Sequence, residues 1–231
     1  MNSVLNDAVA RTLAEHDYFG ADGPVPAWVE FGHPKFALVT GDNASGKSFV
    51  VRAMAEKLRE AHPRMEVIPI TMNGRSRAGI ERLAIWGDES RQSTGRLSVR
   101  AVLGGLRTCR EREHDHVLVL DEPDIGLAES YAGALGAYLS EFVADMPVRT
   151  QGLIVVTHSR PLVAGLLPAE PTSIRVGDDP RPMAAWLRDG PLPRTIEDIE
   201  ALGERSSATM TGITRVRNAR LEAKASGGPR P

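Results

Sequence analysis

The chain has 231 residues, long enough for one large domain, or one domain with appendages, around a substantial core. Its 28 Lys and Arg against 30 Asp and Glu leave a net charge of −2, which argues neither for nor against nucleic acid, because only a local patch would matter. The one cysteine excludes an intramolecular disulfide framework and suits a reducing cytoplasm, and no run approaches the ~18 apolar residues of a membrane span.

In chain order, MNSVLNDAVARTLAEHD carries acidic residues through its apolar periodicity and does not read as a signal peptide. Ser3 is placed to cap a first helix whose Val4, Leu5, Ala8, Val9 and Leu13 form one apolar stripe. Gly20–Pro26 is a turn-rich break, and Trp28–Phe31 reads as a short strand. An apolar run from Phe36 leads into a glycine-containing loop that ends at Ser48. Phe49–His62 follows as a helix, stopped by Pro63. Met65–Met72 is apolar and β-branched, with Pro69 limiting it to a modest or edge strand. Arg77–Ile85 suggests a short helix and Trp86–Arg96 a polar loop. Val99, Val102, Leu103 and Leu106 mark an amphipathic helix ending among the charges of Arg110–Glu113, with Cys109 as a small buried hydrophobe on it. His116–Leu120 is a strand, Glu129–Ala144 a helix and Leu153–Thr157 a strand. Nearly continuous apolar strands belong to sheets covered on both faces, and alternating units of this kind give a largely parallel sheet flanked by helices.

The tail differs in composition. Gly, Pro and Asp are frequent from Gly177 to Pro193, where Met183–Leu187 fits a helical turn. Thr195–Leu202 reads as a capped acidic helix, with Asp198 three residues after Thr195. Gly212–Leu221 carries Arg215, Arg217 and Arg220, which could touch nucleic-acid phosphates, although a solvated helix face is the preferred reading. Ala225–Pro231 is expected to be disordered. The organisation expected is therefore an N-terminal helix and linker over 1–27, a core over 28–176, and a C-terminal helical extension with its tail over 177–231.

Three motifs carry chemistry. Gly41, Gly46, Lys47 and Ser48 fit the spacing of a phosphate-binding loop, between a strand and a helix. Glycines let the backbone curl so that successive amides point at phosphate oxygens, and the helix start adds its positive dipole end. The candidate cradle is Gly41, Asp42, Asn43, Ala44, Ser45, Gly46, Lys47, Ser48 and Phe49. Lys47 would meet the β- and γ-phosphates and Ser48 would hold Mg²⁺; a chance turn is the bland alternative. The implied ligand is a nucleoside triphosphate. In His116–Asp124 a buried strand ends in two carboxylates and a proline: Asp121 would hold Mg²⁺ and Glu122 would polarise an attacking water. In Leu153–Ser159 another buried strand delivers His158, a candidate sensor of the γ-phosphate that could position water.

GDNASGKS, LVLDEPDIGL and VVTHS, spread over about Phe36 to Val163, resemble the nucleotide-binding domain of ABC-class ATPases. The likeness is to the soluble branch related to SMC and DNA-repair ATPases, and to AAA-family ATPases with a DEP-x-x-GL segment. The resemblance implies a P-loop fold that binds and hydrolyses ATP with Mg²⁺. It makes Lys47 and Ser48 part of Walker A, Asp121 of Walker B, Glu122 the catalytic carboxylate, His158 the switch histidine, and Ile125–Ala128 the D-loop. It also implies a signature loop that binds the γ-phosphate held by another subunit of a head-to-tail homodimer; the candidate is Arg91–Arg96, with Ser93 and Gly95 at its core. An ordinary helix-entry loop would use the same residue types.

Only 46 positions separate Lys47 from Ser93, so the helical subdomain of transporters must be very small or absent. No antiparallel strands before Val29 frame a base, no long coiled coil interrupts the chain, and Asn73 stands where a glutamine would assist Mg²⁺ and water. Such a stripped core suggests a separate protein partner that receives the work, in DNA-repair, mobile-element or phage-defence biology by analogy alone. Two alternatives remain: a P-loop kinase for a small molecule, with Arg75, Arg77 or Arg91 clamping the donor, and a non-catalytic scaffold stabilised by ATP.

Overall fold

A computed structural model describes residues 3–71 and 93–226. In chain order the helices are α1 (Val4–Leu13), α2 (His16–Phe19), α3 (Lys47–Ala61), α4 (Thr94–Glu111), α5 (Glu129–Ala144), α6 (Arg160–Leu166), α7 (Met183–Asp189), α8 (Ile196–Glu200) and α9 (Leu202–Ala225). The strands are β1 (Ala27–Glu30), β2 (His33–Gly41), β3 (Glu66–Thr71), β4 (His116–Asp121), β5 (Thr150–Thr157) and β6 (Pro171–Val176).

The strands form one sheet in the order β1-β6-β2-β5-β4-β3, parallel throughout except for β1, which runs antiparallel to β6. The α/β class read from the sequence is the one observed. The central strands bury side chains on both faces, and their period of two separates the residues cleanly. Ala37, Val39, Val117, Val119, Ile154 and Val156 face one cluster, with α1 and α3. Phe36, Leu38, Leu118, Leu120, Leu153 and Val155 face the other, with α4, α5 and α6. Register fixes the functional edge: Thr40 pairs with Thr157 and Gly41 with Val176, while Asp121 pairs with Val156. The C-terminal ends of β2, β4, β5 and β6 therefore open onto one rim, where ligands bind in open parallel sheets.

Local expectations were met with shifts at the ends. Ser3 caps α1 by accepting from the Asn6 amide at 3.1 Å. The helix expected over Phe49–His62 starts earlier, at Lys47, because the loop's last glycine already acts as its N-cap. Pro69 sits in β3, an edge strand, where its missing N–H leaves no interior ladder bond unmade. Thr195 and Asp198 form a reciprocal capping box on α8. Cys109 is buried on α4, and burial pushes its thiol up to about 11, which suits the small-hydrophobe reading.

Three elements had no counterpart in the sequence reading: α2, α6, and β6, whose six residues are all buried. In the tail, α9 is one helix of 24 residues whose last is Ala225, which corrects the disorder expected at that residue; the rest of that expectation, 227–231, lies outside the described residues. Of the basic cluster, Arg220 is tied down rather than solvated: it pairs with Glu15 at 2.6 Å and Asp17 at 3.2 Å and lies over the Tyr18 ring at 4.5 Å. Met183, Trp186 and Ile213 bring the C-terminal segment into the two core clusters. The helix expected over Arg77–Ile85, most of the loop after it, and Asn73, Arg75, Arg77 and Arg91 lie outside the described residues. Among the described residues, no helix is long and apolar enough to cross a membrane.

Candidate active site

The loop after β2 has the backbone its sequence requires. Ala44 and Gly46 adopt left-handed conformations, φ 60° and 97°, which curl the chain back toward α3. At Gly41 a Cβ would lie 2.2 Å from the Val176 carbonyl oxygen and 2.7 Å from Ser45 Oγ, so only glycine fits between β6 and the loop. Lys47 opens α3 and turns back under the loop, where its ammonium donates to the carbonyls of Gly41 at 2.9 Å and Asp42 at 2.8 Å. Burial lowers its pKa, against the opposing attraction of Glu122, Asp121 and Asp42. The N-terminus of α3 has no side-chain cap, and Ser45 Oγ is buried without a partner. A helix start without a side-chain cap, a buried cation and an orphaned hydroxyl in one curl are suited to a multiply charged anion.

β4 ends at Asp121, and the next residue breaks regular geometry. Glu122 has φ 53°, a conformation that costs a non-glycine residue roughly 1–2 kcal/mol. The strained turn is held by the Glu122 amide donating to the Val156 carbonyl at 2.9 Å, with Pro123 following. It brings Glu122 Oε1 to 3.4 Å from His158 Nδ1, at the long end of hydrogen-bonding reach. The contact holds the Glu122 carboxyl below its usual range and raises the imidazole pKa, in each case chiefly through their mutual hydrogen bond. Asp121 is shifted the other way, raised first by burial and then by the neighbouring Glu122.

Because β5 lies between β2 and β4, His158 at its tip stands between the phosphate loop and the carboxylate pair. A second set of contacts fixes it there. Thr157 Oγ1 donates to Asp124 Oδ1 at 2.9 Å and accepts from the Ser159 amide at 2.9 Å, pinning the backbone on both sides of the imidazole. Asp124 has no role legible in its local sequence, because its bond to Thr157 forms only when β4 and β5 pair.

A cleft of about 270 Å³ gathers Lys47, Ser48, Asp121 and Glu122 with the loop residues Asn43 to Gly46, Phe49 and Arg52. Its other wall comes from α9, through Ser206, Thr209, Met210 and Ile213, which carried no signal in the sequence. The α9 approach is close: a Cβ on Gly212 would meet Pro24 at 2.6 Å. Asp42, on the rim, pairs with Arg194. Ser48 and Asp121 share the cleft and offer Mg²⁺ one hydroxyl and one carboxylate. No group of three or more His, Cys, Asp or Glu is gathered for a metal among the described residues, and Mg²⁺ shared with phosphates and water requires none.

Ser93 and Gly95 lie elsewhere. Ser93 is exposed and caps α4, its Oγ accepting from the Arg96 amide at 3.4 Å. Gly95 is pressed against the turn after β4, where a Cβ would come 2.5 Å from the Gly126 carbonyl oxygen. Ser98 Oγ donates to the Ile125 carbonyl at 2.9 Å, closing this contact. Neither Ser93 nor Gly95 lines the phosphate cleft of its own chain.

No family model matches the chain, and no curated protein matches it. Among solved structures it is similar to the crystal structure of Cdc6p from Pyrobaculum aerophilum, with 19% identity over 73% of this chain and a TM-score of 0.35. The match spans 43% of the Cdc6p chain. At that TM-score the likeness carries no argument.

Proposed function

We propose that the protein binds a nucleoside triphosphate, ATP by the resemblance, in the loop Gly41–Ser48 and hydrolyses it at Glu122. Lys47 neutralises the β- and γ-phosphates from beneath. Ser48 and Asp121 would hold Mg²⁺, which supplies charge neutralisation on the transferred group. Glu122 stays ionised at neutral pH and polarises the attacking water, while His158 orients it and senses the γ-phosphate. The observation that carries this reading is the Glu122–His158 pair, held on a strained turn opposite a buried lysine; strain of this kind is kept where a side chain must be aimed. A kinase would need an acceptor site, and a scaffold would gain nothing from an aimed carboxylate.

The finer reading is a switch or motor subunit in which two copies associate head to tail over two ATP molecules, with a separate protein receiving the work. Ser93 is compatible with it: its hydroxyl caps an 18-residue helix, is exposed and lies outside its own cleft, so a phosphate that met this helix start would come from another chain. A second reading, closure in cis, is favoured by α9, which already walls the cleft through Ser206 and Thr209. Phosphate release from Mg-ATP without any acceptor tests the chemistry. Release by the wild type and its loss in Glu122→Gln is the expected result; turnover that depends on a small-molecule acceptor would favour the kinase.

A further inference from the structure

A second cleft, of about 580 Å³, opens on the β6 side of the phosphate loop, away from Asp121 and Glu122. It shares Asn43, Ala44, Ser45 and Thr209 with the phosphate cleft, so one ligand can lie in both. Gly177 makes the shared wall thin: it has φ 105°, and a Cβ there would meet Ser45 Cβ at 2.9 Å. Its amide donates to the Pro26 carbonyl at 2.8 Å, which brings Pro24 and Pro26 to the cleft edge.

Two buried groups in these walls lack partners, Ser45 Oγ and Arg175 Nε. Arg175 is only 5% exposed, on a strand, in the interior of the sheet. The rest of its guanidinium is satisfied: one arm donates to Thr40 Oγ1 at 3.3 Å, the other to Asp179 Oδ2 at 2.8 Å, and the plane lies over Trp186 at 4.7 Å. Burying a cation this completely is costly unless its donors are used, and the leftover Nε donor belongs to a residue that lines this cleft.

We infer that this cleft takes the nucleoside of the nucleotide whose phosphates lie in the loop. The inference rests on the proposed triphosphate site and adds where the base and ribose go and which residues read them. Direction follows from the rim: Lys47, Asp121 and Glu122 fix the γ-phosphate end, so the remainder of the molecule must leave the loop toward β6. The volume is that of a small-ligand pocket, and the walls suit a flat heteroaromatic ring with polar edges. Pro24 and Pro26 offer apolar faces, Arg175 and Ser45 hold spare donors just beneath the wall that reach a ring or carbonyl acceptor once the side chain turns, and Asp178 offers a carboxylate to hydroxyls. The Pro24–Pro26 turn, the end of β6 and the turn after it thereby set base selectivity.

The test compares Mg-ATP with Mg-tripolyphosphate, which has the phosphates and no nucleoside, by calorimetry on the full chain. Ala208→Trp and, separately, Leu192→Trp place a bulky ring in this cleft at exposed positions that do not line the phosphate cleft. Both should weaken Mg-ATP by about tenfold or more, as a denied pocket does, with tripolyphosphate affinity kept within about twofold. Unchanged ATP affinity in both variants would overturn the inference, as would a parallel loss of both ligands. Wild-type protein that binds neither ligand would instead remove the phosphate-loop reading on which the inference rests.

Discussion

Replacing Lys47 separates a catalytic cation from a structural one. Lys47→Met keeps the length and apolar stem of a side chain that is 8% exposed, so packing is nearly conserved. Two hydrogen bonds to carbonyls are lost, at 2.9 and 2.8 Å, and each such bond from a charged donor is worth roughly 1.5–3 kcal/mol. Against that, the ammonium no longer has to be desolvated, the effect that lowers its pKa. These contributions oppose each other, and the stability of the nucleotide-free protein should change by no more than about 1 kcal/mol. Hydrolysis has no such compensation. A positioned electrostatic stabiliser is worth roughly 10²–10³ in rate, so phosphate release should fall at least about a hundredfold. Urea unfolding and phosphate release on the same preparation read both. Near wild-type turnover would refute the site, and destabilisation of about 3 kcal/mol or more would make Lys47 a structural residue.

The raised pKa of His158 and the lowered pKa of Glu122 give the pair a defined pH window. Its contribution to stability is full between the ordinary values, 4.5 for the carboxyl and 6.5 for the imidazole, is lost as pH rises through the raised value of His158, and is lost as pH falls through the lowered value of Glu122. An NMR titration should place the His158 midpoint above 6.5 and Glu122→Gln should lower it; a midpoint that the substitution leaves unmoved would separate the two groups. Because residue 122 has φ 53°, Glu122→Gly should be more stable than Glu122→Ala by about 1 kcal/mol in urea; equal midpoints would remove the strain argument. Arg220→Ala should loosen the second half of α9, with faster amide exchange there and a loss of about 1 kcal/mol from the ion pairs and the Tyr18 contact. Unchanged exchange would mean that the helix is held elsewhere.

The sequence reveals most where structure is local or where chemistry demands a spacing. β4 and β5 are apolar runs, and the bounds of α5 follow from its own pattern. The curl from Gly41 to Ser48 is legible because the phosphate recognition proposed for it needs glycines, lysine and hydroxyl within one turn. β6 is not legible: Thr172, Ser173 and Arg175 interrupt its apolar pattern, yet all three are buried, Thr172 and Arg175 through side-chain partners far away in sequence. Thr172 Oγ1 donates to Asn6 Oδ1 at 2.8 Å, and Arg175 is held by Thr40 and Trp186. The α9 wall stays hidden for a related reason. Its residues 206, 209, 210 and 213 meet the cleft by position along one face, and only Ile213 is buried, so no apolar stripe marks them. Arg194, Arg205 and the Pro24–Pro26 turn reach the site in the same way, through tertiary packing that no window of sequence contains.

The most direct measurement is the mass of Glu122→Gln in solution with bound nucleotide. The substitution keeps the size and hydrogen bonding of residue 122 while removing the base, so ATP should bind and stall before hydrolysis. If Ser93 and Gly95 close over the partner's γ-phosphate, the stalled species is a dimer that only the triphosphate supports. Light scattering should then give about twice the 25.0 kDa chain mass with Mg-ATP and the single-chain mass with ADP, and Ser93→Arg should abolish the doubling. A single-chain mass under Mg-ATP, with ATP measurably bound, would contradict the two-copy switch and leave closure in cis by α9. Undiminished phosphate release by Glu122→Gln would contradict the catalytic assignment itself.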